Sequence, residues 1–294
     1  MADAAALAAA GGGGLTLNLA DDVRQLLTYH FMVNALVAGT AVAVMAAVVG
    51  WFMVLRRQAF AGHTLSLIAF PGAAGASLIG VPVTWGYFTA CGLGAVVLSP
   101  ASWGGRARSA ETAAIGTVQA LALGAGFLFV SLYHGLLNGI SGLLFGTFVG
   151  IADGQVTALI VVAVVAIALV AVAGRPLLFA SLDDEGAAAA GVPVRALGAG
   201  FLLLLGLAVA ATAQITGTLL VFTLLVTPAA TAQALTVRPG AGLVLAVAIS
   251  LLVTWLGLGI AYFSPLPVGF WITSLSFGLY VLARAWRALR GGRR

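Results

Sequence analysis

Residues 155–173 read QVTALIVVAVVAIALVAVA, a run of apolar and small residues without a charged side chain. An α-helix rises about 1.5 Å per residue, so about 20 such residues cross the hydrocarbon core of a bilayer. The run therefore predicts a transmembrane helix. Similar apolar runs recur along the chain, between short loops that contain charged residues, proline or glycine. This repetition predicts an all-α, polytopic membrane protein.

The amino-acid composition agrees with that fold class. The 294 residues are 62% hydrophobic and 7% charged, and their mean hydropathy is +1.14. A water-soluble domain carries about a quarter charged residues, because its surface must be hydrated. Lipid is therefore expected to be the solvent for most of this chain.

The apolar runs predict about nine membrane-spanning helices and one short additional helix. Residues 139–150 are apolar but too short to cross, and counting them as a crossing would invert every later loop. We therefore expect them to form a short or re-entrant helix on the outer side. The predicted spans lie near 31–55, 64–80, 84–100, 111–132, 153–173, 196–213, 217–236, 241–262 and 269–284.

Hydropathy and charge divide the chain into three regions. Residues 1–30 are expected to form an N-terminal tail that ends in a short helix at the membrane surface over residues 21–30. Residues 31–285 form the predicted transmembrane domain, whose longest interior hydrophilic stretch is the loop 174–195. Residues 286–294 are expected to form a basic cytoplasmic tail.

The basic residues predict the orientation of the chain. All 13 of them are arginines, and positively charged loops stay on the cytoplasmic side of a membrane. With the N-terminus outside and nine crossings, every arginine except Arg24 falls on the inner side. We therefore expect a protein of the bacterial plasma (inner) membrane with a cytoplasmic C-terminus. The net charge of +5 then marks inner loops and gives no reason to expect a nucleic-acid partner.

Residue content excludes or disfavours several classes of function. The chain contains no lysine, so it has no phosphate-binding loop of the GxxxxGK[ST] type, and ATP-driven activity would need a second subunit. The spans lack the Ser/His/Asp or paired-carboxylate arrangement of an intramembrane enzyme. A secondary transporter is disfavoured, because a coupled ion normally binds a carboxylate or histidine inside the membrane. Glu111 and Asp153 lie at predicted span ends, where we interpret them as helix caps.

The loop 174–195 carries a pattern typical of a short helix. Acidic residues would occupy its first turn, alanines would follow, and a glycine and a proline would end it. Such a segment is either a solvated connector or a docking surface through which a motor subunit moves the membrane domain. The residues concerned are Asp183, Asp184, Glu185, Gly191 and Pro193.

Three parts of the chain resemble the permease subunits of the ABC importers for zinc, manganese and iron. The resemblance runs in the right order from about residue 30 to residue 285, and its most specific part is the run TPAATA. The three parts are RRQAFAG at 56–62 with FPG at 70–72, LDDE at 182–185 with GVPV at 191–194, and GTLLVF at 217–222 with TPAATA at 227–232.

This resemblance implies an importer of divalent metal ions that works by alternating access. It implies a homodimer of permease subunits in the lipid bilayer, two cytoplasmic ABC ATPase subunits, and an extracellular metal-binding protein that delivers the ion. The ATPase would bind ATP and Mg²⁺, so this chain would be a non-catalytic permease with no cofactor of its own. Residues 31–285 would be the permease domain, and the five loop residues just named would dock on the ATPase.

One site departs from the family pattern. The family usually carries an aspartate directly after the glycine that matches Gly62 and a histidine four residues later, whereas this chain has His63 and Leu67. Residues four apart share one face of a helix, which suits contact with a passing cation. Imidazole suits zinc, copper, iron or nickel better than the harder manganese ion. The site either prefers such a metal, or no longer coordinates a bare ion and the cargo differs. A histidine bonded to a helix carbonyl is the equal alternative.

The remaining candidates are polar residues near span ends and one proline. Polar side chains could line an ion pathway, although Ser and Thr in membrane helices commonly bond their own backbone. Outer-loop residues could meet the delivery protein, and a proline inside a span could bend it for gating or packing. The pathway candidates beside His63 are Ser66, Gln214 and Thr227, the outer-loop candidates are His134 and Asn138, and the proline is Pro228. The alternatives from other classes are a secondary transporter and a non-transporting membrane scaffold.

Overall fold

The computed structural model describes residues 19–99, 108–133, 138–146, 148, 150–218 and 220–291. All secondary structure in these residues is helical. In chain order the helices are α1 (Leu19–Thr28), α2 (His30–Leu55), α3 (Ala59–Leu78), α4 (Val83–Val97), α5 (Arg108–Leu132), α6 (Asn138–Phe145), α7 (Asp153–Leu182), α8 (Asp184–Ala189), α9 (Val194–Thr216), α10 (Val221–Leu235), α11 (Pro239–Phe263) and α12 (Val268–Gly291).

Six of the described helices are long and apolar enough to cross a bilayer. They are α2, α5 over Ile115–Leu132, α7, α9, α11 and α12 over Val268–Leu289. Helices α4 and α10 are apolar but have 15 residues each, and the 20 residues of α3 contain Pro71 among many small residues. Each predicted span overlaps one of these helices. The fold class, an all-α multi-pass membrane protein, is therefore confirmed.

Helices α2 and α9 occupy the centre of the molecule. In the apolar 18-residue window that defines the span, 61% of the α2 residues and 67% of the α9 residues are buried by protein. The corresponding shares are 28% in α7 and 22% in α12. Helix α2 packs against α7, α9, α10 and α11. The outer helices can leave apolar side chains uncovered, because lipid tails are as apolar as leucine.

Glycines allow some of these helices to touch backbone to backbone. A β-carbon on Gly50 would overlap the carbonyl group of Leu225, so α2 and α10 meet without side chains between them. Gly72 and Gly86 face each other in the same way where α3 crosses α4. Small residues at such crossings increase van der Waals contact between helices in lipid. Close helix packing therefore accounts for the glycines at these crossings.

Helix α7 is longer than the sequence predicts. We expected a span over 153–173 and a loop from residue 174, but the helix continues to Leu182 through Pro176. Proline removes one backbone hydrogen bond from a helix, and the cost can be offset by packing beyond it. Leu177 and Ala180 follow the proline on α7, and both side chains are buried. The first part of the predicted cytoplasmic segment 174–195 is therefore helical, and the non-helical chain begins at Asp183.

Helix α10 begins later than predicted, so the span 217–236 is wrong at its start. Residues 217, 218 and 220 are not helical, and Gly217 has a φ of 73°, in the left-handed region that favours glycine. The backbone N–H of Thr218 donates to the carbonyl oxygen of Leu143 in α6, at 3.1 Å. Tertiary packing against α6 thus replaces the first turn of the expected helix.

The two short helices lie where the sequence predicts them, and the last helix is longer than its predicted span. Helix α1 overlaps the predicted surface helix 21–30, and α6 overlaps the predicted short helix 139–150. Helix α12 continues past the predicted span end at residue 284 and runs to Gly291, into the segment expected to form the basic cytoplasmic tail. The segment contains alanine, leucine and arginine, which are strong helix formers, so the helix does not stop at residue 284.

Candidate functional site

The loop between α7 and α9 carries the short helix that the sequence predicts. The Asp183 carboxylate accepts a hydrogen bond from the backbone N–H of Gly186 at 2.9 Å, which caps the N-terminus of α8. Gly191 follows the helix with a φ of 84°, a conformation that glycine adopts without strain. The methyl group of Ala187 is fully buried and fixes α8 to the rest of the molecule. Local signals therefore determine this element.

A cavity of about 650 Å³ opens beside α8. Its rim carries the exposed carboxylates of Asp184 and Glu185 and the guanidinium of Arg195. Pro193 also lines it, whereas Gly191 lies in the turn above. A partner that inserts a side chain here would meet both signs of charge and an apolar floor. The lining residues are Asp184, Glu185, Ala188, Pro193, Val194, Arg195 and Ala196.

Arg56 connects the turn between α2 and α3 to this loop. Its guanidinium carbon lies 5.4 Å from the centroid of the Phe201 ring in α9, within the range of a cation–π contact. One guanidinium nitrogen donates to the Ser181 hydroxyl at 3.4 Å. Burial lowers the pKa of Arg56, and the negative charge of Asp184 opposes that shift. The guanidinium still carries its charge at neutral pH, because arginine is effectively always protonated in proteins.

His63 lies in the second turn of α3, near the Arg56 end of the helix. Its ring packs edge-on against Phe222, with 5.3 Å between centroids, and its Nδ1 is buried without a hydrogen-bond partner in the described residues. Leu67, one turn further along, is buried and apolar. No three His, Cys, Asp or Glu side chains come together in the described part of the chain. This face of α3 thus offers one imidazole to a passing ion.

The other pathway candidates are not brought together around His63. Ser66 is 1% exposed, and its hydroxyl donates to the His63 carbonyl oxygen at 2.7 Å. The amide oxygen of Gln214 accepts from the Thr84 hydroxyl at 3.1 Å. This pair joins the end of α9 to the start of α4, whereas His63 lies near the start of α3. Thr227 is half-buried in α10, where its carbonyl accepts from Thr231 at 2.7 Å. Ser66 is therefore the one of these candidates with a hydrogen bond to His63, and that bond goes to the backbone carbonyl and not to the imidazole.

The remaining three candidates are the helix proline and the two outer-loop residues. Pro228 is buried inside α10, at the eighth position of that helix. Asn138 is the first residue of α6, but its side chain lies outside the described part of the chain. His134 lies outside the described residues altogether. The predicted contact with a delivery protein is therefore not placed by the structure.

Asp153 forms a cluster that the sequence does not suggest. Its Oδ1 accepts from the Asn34 amide at 2.7 Å and lies 2.8 Å from Nε2 of His30. Asn34 is nearly buried and also donates to the carbonyl oxygen of Ile151 at 3.0 Å. The helix N-cap is Ala152, which makes no side-chain cap bond. Asp153 thus lies in the first turn of α7, as predicted, but its carboxylate does not bond the helix N-terminus and instead joins the start of α7 to the start of α2.

Together these features define a class of protein: a multi-pass helical membrane protein with an exposed, capped acidic helix on the loop between two spans. The sequence pattern of the ABC 3 transport family matches residues 28–287, so the chain belongs to that family. This match covers every described helix from α2 to most of α12.

Known proteins with related sequences and structures agree with the family match. The chain is 30% identical over 219 residues to the manganese transport system membrane protein MntC of Halalkalibacterium halodurans, which covers 73% of each chain. It is 30% identical over 239 residues to the chelated iron transport system membrane protein YfeC of Yersinia pestis, covering 81% of this chain and 80% of that one. A chain of PsaBC from Streptococcus pneumoniae, solved in complex with a Fab, matches with a TM-score of 0.81 at 25% identity, over 92% of this chain and 99% of that chain.

Proposed function

We propose that this chain is the membrane-spanning permease subunit of an ATP-driven importer of divalent metal ions. The observation that carries the proposal is the family match over residues 28–287, which includes the exposed acidic helix α8. The relatives named for manganese and chelated iron transport favour such ions as cargo. Zinc is a compatible third ion, because His63 would offer it a nitrogen ligand.

The motor would be a separate subunit. The chain has no lysine and hence no phosphate-binding loop of the Walker type, so ATP and Mg²⁺ belong to a partner ATPase. The cavity beside α8 is the proposed docking surface, with Asp184 and Glu185 at its rim. We infer that two permease subunits form a dimer, that two ATPase subunits drive its alternating access, and that an extracellular metal-binding protein supplies the ion.

The proposed orientation places α8 in the cytoplasm and the N-terminus outside. Two contacts support it, because each joins residues that the arginine pattern assigns to the inner side. Arg56 contacts Ser181, and Arg287 contacts the end of α10 that precedes Arg238. This arrangement is consistent with nine crossings in a bacterial plasma membrane, with α3, α4 and α10 as the short ones.

The direct test is metal-stimulated ATPase activity of the reconstituted complex. The permease would be co-expressed with the ATPase and the binding protein encoded beside it, and placed in liposomes with Mn²⁺, Fe²⁺, Zn²⁺ or other divalent ions. We expect stimulation by at least one ion and uptake of that ion. A chain that fails to co-purify with an ATPase and carries ions without ATP would overturn the proposal.

The cargo at His63 admits one specific alternative, an ion that crosses in a form other than the bare metal. Its support is the pair His63 and Leu67, which provides one nitrogen and an apolar side chain where two ligands are usual. If the imidazole contacts the ion, His63→Ala lowers uptake of Zn²⁺ more than uptake of Mn²⁺, since imidazole favours the former. His30→Ala, at the opposite end of the molecule, is the matched control. Unchanged uptake and selectivity in His63→Ala would instead favour the alternative cargo.

A further inference from the structure

A second cavity, of about 310 Å³, lies between the turn that joins α10 to α11 and the last turns of α12. Residues 234–238, Trp286 and Arg287 line it. Arg238 belongs to the turn and Arg287 to α12, so two arginines from separate elements line one opening. Both side chains are exposed at its rim. We call this cavity the arginine pocket.

The arginine pocket lacks a balancing negative charge in the described part of the chain. The sequence contains no Asp or Glu after Glu185, and the ion pair of the described residues joins His30 to Asp153 at another site. One guanidinium nitrogen of Arg287 lies 3.5 Å from the carbonyl oxygen of Ala234. A guanidinium has five N–H donors, so most of them remain for a ligand. The pocket is therefore suited to an anion.

Large apolar side chains flank these two arginines. Val237 is 89% exposed, and Trp286 and Leu235 also present much of their surface. Exposure of this apolar surface to water is unfavourable, whereas contact with lipid tails is not. Tryptophan is enriched at membrane–water interfaces, where one part of the ring meets lipid and the N–H meets polar groups. The surroundings thus match a ligand with a charged head and an apolar tail.

We propose that the arginine pocket binds the phosphate headgroup of an anionic phospholipid from the inner leaflet. Arginines form paired hydrogen bonds to phosphate oxygens, and basic pockets between membrane helices on the cytoplasmic side accept such headgroups. The acyl chains would lie along Val237 and Trp286. A bound phosphate would bridge Arg238 and Arg287, and would thereby fasten α12 to the turn after α10. The site is independent of the transported ion.

Native mass spectrometry of the full-length chain in detergent tests this assignment. The protein would be titrated with phosphatidylglycerol, with zwitterionic phosphatidylcholine, and with soluble glycerol phosphate. The variants are Arg238→Gln and Arg287→Gln. The control is Arg175→Gln, which removes one exposed positive charge on the same predicted side of the membrane but outside the pocket.

We expect preferential binding of phosphatidylglycerol, weakened about fivefold by either pocket variant and unchanged in the control. Equal loss in all three variants would mean diffuse attraction to a charged surface and would overturn the proposal. Glycerol phosphate binding as tightly as the lipid would identify a soluble anion as the ligand, which also overturns it. So would pocket variants that keep lipid binding but lose association with the ATPase, because the pocket would then belong to subunit docking.

Discussion

The guanidinium of Arg56 lies over the ring of Phe201, and this contact joins the turn after α2 to the first part of α9. The same guanidinium donates to Ser181 at the end of α7, and the negative charge of Asp184 in α8 raises its pKa against the effect of burial. Three helices around the proposed docking loop therefore meet at one side chain. In the proposed mechanism, a displacement of α8 would reach the central helix α2 through this junction.

Replacing Arg56 with lysine is expected to reduce transport more than it reduces stability. Lysine keeps the charge but lacks the planar group that stacks on an aromatic ring and donates in a fork. The contact with Phe201 is worth about 1 kcal/mol, so the variant should still fold. We expect ATP hydrolysis to continue with less metal transported per ATP, as measured in proteoliposomes. Arg175→Lys is the control, and an unchanged transport ratio in Arg56→Lys would contradict the expectation.

The cap of α8 gives a second prediction. Asp183→Ala removes the acceptor for the Gly186 N–H and should destabilise α8 by about 1 kcal/mol. Asp183→Asn keeps an acceptor oxygen at the same place and should behave like the original chain. The measurement is the affinity of the permease for its ATPase subunit. Equal affinity for Asp183→Ala and Asp183→Asn would mean that α8 does not need its cap to dock.

The junction between α6 and the α9–α10 turn should tolerate no side chain. Gly146 and Gly217 both have positive φ, at 77° and 73°, and a β-carbon on either would overlap backbone atoms of the other segment. Gly217→Ala should therefore lower the free energy of unfolding in detergent by more than about 1–2 kcal/mol, which is the strain of the left-handed region alone. The measurement is thermal unfolding of the purified protein. Gly259→Ala in α11 is the control, because open space surrounds that position. A control as damaging as Gly217→Ala would indicate a general effect of losing glycine.

The cluster at the start of α7 predicts a ranking of variants. Asn34 is nearly buried and makes two hydrogen bonds, to Ile151 and Asp153, so Asn34→Ala should cost about 1 kcal/mol or more. His30 and Asp153 are largely exposed, where an ion pair contributes little. His30→Ala should therefore leave the unfolding temperature nearly unchanged. If the unfolding temperature falls more in His30→Ala than in Asn34→Ala, the exposed ion pair and not the buried amide stabilises this cluster.

Features that depend on local sequence were predictable. Apolar runs long enough to cross a bilayer predicted the fold class, and the order of acid, alanine, glycine and proline predicted α8. Both rest on rules that operate within about 20 residues. The family pattern also placed α8 on the loop where docking is now proposed.

Features that depend on tertiary packing were not predictable. The apolar run predicted a span that ends at residue 173, but α7 continues through Pro176, and Leu177 beyond the proline is buried. The contact between His30 and Asp153 joins residues 123 positions apart, and no local pattern marks either partner. The junction at Arg56 likewise depends on α9, which follows more than a hundred residues later. The environment of His63 required the position of Phe222 in α10.

The unexpected length of α7 affects where the proposed ATPase would bind. Its 30 residues extend about 45 Å, whereas the hydrocarbon core of a bilayer is about 30 Å thick. If Asp153 marks one boundary, the last two or three turns project past the lipid as a stalk. The carbonyl that loses its partner to Pro176 would then meet water and headgroups instead of acyl chains. Helix α8 would then lie at the tip of that stalk, outside the hydrocarbon core and accessible to the proposed ATPase subunit.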